Sequence, residues 1–334
     1  MQANTKLIAI VSALILTACG SVNIQESQQN ALAQISDTKA RSQAINVHFL
    51  SKDPFDADTA AVGDVKEVTV RGTLRLPAGK GPFPAVVIAN SSAGIYDRVG
   101  QSLATDLVKA GYATFAIQSL EARGQLSSGS NQKPTTVQSG GVDALYALQY
   151  LRTLPIINAD KICVAGHSRG AIAAFDFAYF QSFLDMTNFS GDPFACNISI
   201  AGLVIRPVDK TTTGKPALVF IGEKDDLWYQ EKNIEWINEL KSDGNDVSLV
   251  VLEDTYHGLG TSAEFCPSAQ TPKKCTELTE YDEKGQYNDG KLMTREEHFK
   301  RCVTSGYHCR SETMDKYTEV KDTIITFLND NIGK

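Results

Sequence analysis

The chain should fold as an α/β domain, a mostly parallel sheet flanked by helices on both faces. Short apolar runs without alternation recur at 85–89, 112–117, 162–165, 198–205, 217–221 and 247–252. Runs of that kind suit strands buried on both faces. Between them stand helix-period patterns. Leu103, Leu107 and Val108 are closed by Gly111, and Val142, Leu145, Leu148 and Leu151 stop before Pro155. Ile234, Ile237 and Leu240 end at Gly244, and Tyr317, Val320, Ile324, Phe327 and Leu328 form the last. Strand and helix in alternation imply parallel pairing through helical crossovers. A length of 334 residues with 42% hydrophobic content suffices for one large core, and a formal charge of −7 offers no basic footprint for nucleic acid.

The first residues stand apart from that domain. Lys6 precedes an apolar run from Leu7 to Leu16, the length of a signal-peptide core and too short for a bilayer span. The run closes on Leu16-Thr17-Ala18-Cys19, which resembles a bacterial lipobox. That resemblance implies cleavage before Cys19, acyl chains on Cys19 and a firm hold on a membrane surface. Gly20 and Ser21, with no aspartate after the cysteine, resemble lipoproteins sorted to an outer membrane. Residues 1–18 are therefore expected to be a lipoprotein signal peptide. Residues 19–62, rich in Gln, Ser, Ala and Asp, are expected to be the lipidated cysteine with a polar tether or short surface helix. The domain is expected over 63–334, with its first strand alternating through Val68, Val70, Gly72, Leu74 and Leu76 before the Pro77-Ala78-Gly79 turn.

Export bears on the remaining cysteines, because an oxidising compartment permits disulfides. Cys266, Cys275, Cys302 and Cys309 crowd into 264–310, a polar stretch without clear period that reads as a stapled insertion over the sheet edge or over the site. A zinc site would recruit His298 and His308 there, but no CxxC pair is present, so no metal is expected. The expected disulfides are Cys266–Cys275, Cys302–Cys309 and Cys163–Cys196.

Candidate chemistry begins at Cys163-Val164-Ala165-Gly166-His167-Ser168-Arg169-Gly170-Ala171. Ser168 lies where a strand turns into a helix, at the strand end where parallel sheets meet ligands. Side chains at 166 or 170 would collide with the neighbouring strand or helix in so sharp a turn. A serine hydroxyl needs a base to take its proton. His257, just beyond the last strand in Glu253-Asp254-Thr255-Tyr256-His257-Gly258, is placed to supply one; His48 precedes the expected domain, His167 belongs to the turn itself, and His298 and His308 fall in the insertion. A carboxylate must then orient the imidazole, and Asp225 and Asp226 both follow the strand that ends at Gly222. Backbone donors for an oxyanion are expected at Arg169, which follows the serine, and at Ser92, in the loop Asn90-Ser91-Ser92-Ala93-Gly94.

With these residues in place the chain resembles the α/β-hydrolase fold and, within it, the dienelactone hydrolase-like group. The resemblance spans roughly residues 65–260 and the final helix. It is carried by "LRLPAGKGPFPAVVIANSSAG", "LVKAGYATFAIQSLEARG", "ALYALQYLRTLP", "ICVAGHSRGA", "VFIGEKDD" and "YHG". It implies a Ser168, Asp225, His257 triad in the chain order of that fold, and its GxxD segment selects Asp225 over Asp226. Dienelactone hydrolases proper use a cysteine nucleophile and carry a substrate-binding arginine soon after the histidine. Here the nucleophile is Ser168, residues 258–261 hold no arginine, and Asn90-Ser91 replaces a His-Gly-rich loop. Arg123 could face a substrate carboxylate, but a structural role is the one expected for it.

The expected activity is that of a serine esterase acting on a small carboxylic ester through an acyl-enzyme, lipid-anchored in a bacterial cell envelope, with no cofactor and no obligate protein partner. Two alternatives stay open. One is a peptidase of prolyl-oligopeptidase type, although Cys19 to Val65 is too short for the gating propeller of those enzymes. The other is a non-catalytic surface binding lipoprotein.

Overall fold

The computed structural model describes residues 22–37, 43–56, 61–202, 205–275, 279–284, 287–288, 292–309, 311 and 313–333. The signal segment and Cys19 lie outside the described residues. An eight-stranded sheet forms the centre, in the order β1-β2-β4-β3-β5-β6-β8-β9. Its strands are β1 (Ile45–Phe55), β2 (Val62–Arg75), β3 (Phe83–Ala89), β4 (Ala113–Ile117), β5 (Ile157–His167), β6 (Asn197–Ile200), β8 (Ala217–Gly222) and β9 (Val247–Leu252). From β4 to β9 all neighbours are parallel, while β1 and β2 pair antiparallel with each other and β2 with β4. The mostly parallel sheet with helices on both faces is the fold expected from the apolar runs.

Side-chain alternation along the buried strands divides the core between two faces. On one, Cys163 and Ala165 of β5 and Leu218 and Phe220 of β8 pack with α2 (Arg98–Lys109), through Val99, Leu103 and Leu107, and with α8 (Tyr317–Asn331), through Val320, Ile324 and Leu328. On the other, Ile162 and Val164 meet α3 (Val137–Arg152), and Val219 and Ile221 meet Trp236, Ile237 and Leu240 of α6 (Gln230–Ser242).

Of the polar tether or short surface helix expected over 19–62, a short helix does form, but the segment also supplies a strand to the core, so the domain begins ahead of the expected residue 63. Residues 24–36 make α1 (Ile24–Ser36), which buries Ala31 and Ile35, and β1 follows as the edge strand with Ile45, Val47 and Phe49 fully buried. Polar composition concealed a period-two pattern in which one face alone is apolar. Pro54 is tolerated because this is an edge strand. The other edge of β1 is covered by α1: the His48 N–H donates to Ser27 Oγ at 3.0 Å, and Gln28 Nε2 donates to the His48 carbonyl at 3.3 Å. Covering an edge in this way denies it to other strands.

Arg123 fastens the same strand to the body of the protein. Its Nε donates to Asp53 Oδ2 of β1 at 2.7 Å and its Nη1 to Asp143 Oδ2 of α3 at 2.7 Å. Ser51 Oγ donates to Asp143 Oδ1 at 2.6 Å, and Ser139 Oγ donates to Asp53. Burial opposes the guanidinium charge, but the two carboxylates outweigh it and raise the Arg123 pKa further.

The insertion has structure of its own. It contains β10 (Ser268–Thr271), β11 (Glu280–Tyr281), β12 (Tyr287–Asn288), β13 (Leu292–Met293), α7 (Arg295–Cys302) and β14 (Thr304–Tyr307), and β11 pairs in parallel with β7 (Arg206–Pro207) of the main domain. Cys163–Cys196 forms as expected, tying β5 to the start of β6. The other two expected pairs are corrected to Cys266–Cys309 and Cys275–Cys302. The register explains the exchange. In the β10/β14 ladder Ser268 faces Tyr307 and Thr271 faces Thr304, so Cys266 and Cys309 sit opposite each other beyond one end of the ladder. Cys275 and Cys302 flank the other end. A bridge from Cys266 to Cys275 would have to span the extended strand lying between them.

Candidate active site

Ser168 stands on the tight turn between β5 and α4 (Arg169–Ala171), which continues as a π-helical stretch over Ile172–Phe177. Its backbone adopts φ 56°, ψ −122°, a conformation that non-glycine residues avoid and that the surroundings must enforce. The flanking glycines allow it. A Cβ at Gly166 would lie 2.0 Å from the Gly170 carbonyl oxygen, and one at Gly170 would lie 2.1 Å from that of Ala89. The turn thus presses β5, α4 and the end of β3 together, lifting the Ser168 side chain above the strand ends.

Asp225 and His257 come from the loops after β8 and β9. His257 Nε2 is 2.8 Å from Ser168 Oγ, and its Nδ1 is 2.7 Å from Asp225 Oδ2. A carboxylate oxygen only accepts, so Nδ1 carries the hydrogen and Nε2 faces the serine hydroxyl with its lone pair. All three residues are buried. Asp225 is fixed in turn by the Leu227 N–H on Oδ1 at 3.1 Å and by Gln230 Nε2 on its carbonyl at 3.1 Å. Asp226 instead faces His308 of the insertion at 3.4 Å. The Trp228 and His257 rings meet nearly perpendicular, with centroids 6.0 Å apart.

A second buried histidine supports the first. His167 Nε2 donates to the His257 carbonyl at 3.0 Å, and its Nδ1 lies 3.5 Å from Asp97. Asp97 caps α2 through the Gly100 N–H and also accepts the Ser91 N–H. Burial works against both charges, yet their mutual attraction prevails and raises the His167 pKa while lowering that of Asp97. A raised histidine value stabilises the fold below its ordinary 6.5 and ceases to do so as pH rises through the folded value; a lowered aspartate value stabilises above 3.8. We predict that His167→Gln, which keeps an N–H donor but no charge, loses most stability relative to the parent between those two values. The gap should close toward alkaline pH. Thermal melting across pH checks this, and a gap that widens with pH refutes it.

The site opens into a pocket of roughly 670 Å3, its mouth included. Ser92, Gln132, Val137, Ile172, Ile205 and Trp228 line it from the main domain, and Gln270, Pro272, Tyr287, His298, Phe299 and Val303 from the insertion. The insertion therefore lies over the site and builds one wall of it. Tyr287 and His298 stack there with centroids 4.7 Å apart. Arg169 is the one lysine or arginine among the described lining residues; its guanidinium donates to Gln132 Oε1 at 2.7 Å and to the carbonyls of Thr135 and Thr136.

The structure brings Ser168, Asp225 and His257 together, and Ser92 and Arg169 line the same pocket as the serine. Arg123 lies between the partly exposed Asp53 and the buried Asp143 and is not among the pocket's lining residues. Sequence reasoning missed Asp97 and Gln132. Asp97 carries an N-cap signal immediately before a helix, whereas Gln132 sits in a loop with no local signature. All six cysteines named for pairing are held in disulfides, which leaves none of them as a zinc ligand.

A family model for the dienelactone hydrolase family matches residues 70–284, more than half of the chain. No curated protein matches the sequence. Among solved structures, a dienelactone hydrolase-like promiscuous phosphotriesterase from metagenomic libraries is similar at 15% identity and a TM-score of 0.52, over 86% of this chain and 99% of its own. A thermophilic esterase from Thermogutta terrifontis is similar at 16% identity and a TM-score of 0.45, over 57% of this chain and 81% of its own.

Proposed function

This chain belongs to the dienelactone hydrolase family, and from that premise we propose that it is a serine esterase for uncharged carboxylic esters with an apolar acyl group. One observation carries the reading: the Ser168, His257 and Asp225 side chains are linked at 2.8 and 2.7 Å, and Ser168 borders a pocket walled by Val137, Ile172, Ile205, Trp228, Phe299 and Val303. His257 Nε2 takes the Oγ proton as Ser168 attacks the ester carbonyl carbon, and the Ser92 and Arg169 amides hold the oxyanion. Collapse of that intermediate breaks the ester C–O bond, and His257 returns the proton to the departing alkoxide. Water, deprotonated by His257, then releases the acid and restores the serine.

Uncharged substrates fit better than dienelactone carboxylates because the pocket's arginine already holds Gln132, Thr135 and Thr136. A protein lacking its first 19 residues should hydrolyse p-nitrophenyl butyrate faster than the p-nitrophenyl ester of succinate. It should leave dipeptide amides intact. Amide cleavage as efficient as ester cleavage would point to a peptidase instead.

Attachment to a bacterial envelope through Cys19 is part of the same proposal. Leu16-Thr17-Ala18-Cys19 supports it, and so do the three disulfides, which fit an oxidising compartment. Cells grown with labelled palmitate should label the full chain but not Cys19→Ser; equal labelling would exclude the anchor.

A further inference from the structure

We propose that Gln132 is a positioning residue that fixes the separation of the two oxyanion donors, a role that rests on the serine-esterase reading above. The two amides come from distant parts of the chain. Arg169 opens α4, whereas Ser92 sits in the irregular loop after β3. Among the described residues the Ser92 N–H has no backbone carbonyl as acceptor. Gln132 joins the two residues through a single side chain. Arg169 Nη1 donates to Gln132 Oε1 at 2.7 Å, and Gln132 Nε2 donates to Ser92 Oγ at 2.9 Å.

The orientation of that amide is forced. A guanidinium has donors and no acceptor, so the oxygen of Gln132 must face Arg169 and its nitrogen must face Ser92. Ser128 Oγ also donates to Gln132 Oε1, at 3.2 Å, and the Ser128 N–H donates to the Ser92 carbonyl at 2.8 Å. Arg169 is itself held by the carbonyls of Thr135 and Thr136. Without Gln132, the Ser92 side chain loses its link to the nucleophile's helix while the Ser91 amide stays tied to Asp97. Oxyanion donors act only when held within roughly half an ångström of their working position. The insertion feels the same strut, because the Gln132 N–H donates to Gln270 Oε1 at 3.1 Å.

The test compares Gln132→Leu, Ser92→Ala and the double variant on p-nitrophenyl butyrate. Ser92→Ala keeps the backbone donor and removes only the hydroxyl that Gln132 grips. Each single variant should lower kcat by roughly tenfold to a hundredfold, less than the hundredfold to thousandfold lost when an oxyanion donor is removed outright, because the amides remain and are only misplaced. KM should change by less than about threefold, as befits an interaction made mainly in the transition state. The double variant should be no slower than the slower single one. Melting midpoints near that of the parent separate misplacement from unfolding. Losses that multiply in the double variant, or a rise in KM with kcat intact, overturn the strut. Activity persisting in Ser168→Ala would overturn the serine reading and is a distinct result.

Discussion

Ser168→Ala is expected to lower kcat for ester hydrolysis by a factor on the order of 10^5 to 10^6, the scale seen when a triad nucleophile is removed. The size follows from the geometry. His257 Nε2 has Ser168 Oγ as its partner at 2.8 Å, and alanine leaves the base with no proton to take. Alanine keeps the Cβ, so the strained turn and its packing should persist and the variant should melt close to the parent. Residual turnover should reflect binding and the oxyanion donors alone. A fluorophosphonate probe should label the parent at Ser168 and leave the variant unlabelled. A variant with a tenth of the parent rate would remove the serine from the mechanism, and a parent that takes no label would favour a binding protein.

Arg123→Met is expected to cost about 3–5 kcal/mol of stability, the range for breaking a buried ion pair by removing one partner. Methionine approximates the length of the side chain but leaves Asp53 and Asp143 facing each other without a cation; the Asp143 side chain is fully buried. Because Arg123 does not line the pocket, the folded fraction should retain its kcat. Denaturant unfolding checks the first expectation and active-site-titrated kinetics the second. A loss below about 1 kcal/mol, typical of exposed pairs, would mean that β1 is held by its apolar face alone.

Much of this arrangement is legible in the sequence because strand ends are marked by composition. The apolar runs of β3, β4, β5, β8 and β9 stop within a residue or two of the strand ends, and the three residues of the candidate triad follow β5, β8 and β9; β9, expected to be buried on both faces, is instead an edge strand with Val251 exposed. β1 was harder to see, since Ile45, Val47 and Phe49 alternate with polar residues inside a stretch of low overall hydropathy. The disulfides of the insertion are not legible in the sequence for a different reason. Their pairing depends on the register between β10 and β14, which are separated by more than thirty residues of chain, and nothing local records it. Gln132 and Asp97 belong to the same class, with roles set by partners far away in sequence.

The folded N-terminal segment also changes what attachment at Cys19 would mean. Only four residues lie between Cys19 and the start of α1, and α1 is bound to the edge of the central sheet. A span of five residues reaches at most about 17 Å. Anchored there, the enzyme would be mounted on the bilayer rather than leashed to it, unable to search far above the surface. Its turnover would then depend on esters arriving at that height, and lengthening the chain ahead of Ile24 becomes a way to change access to substrate without touching the pocket.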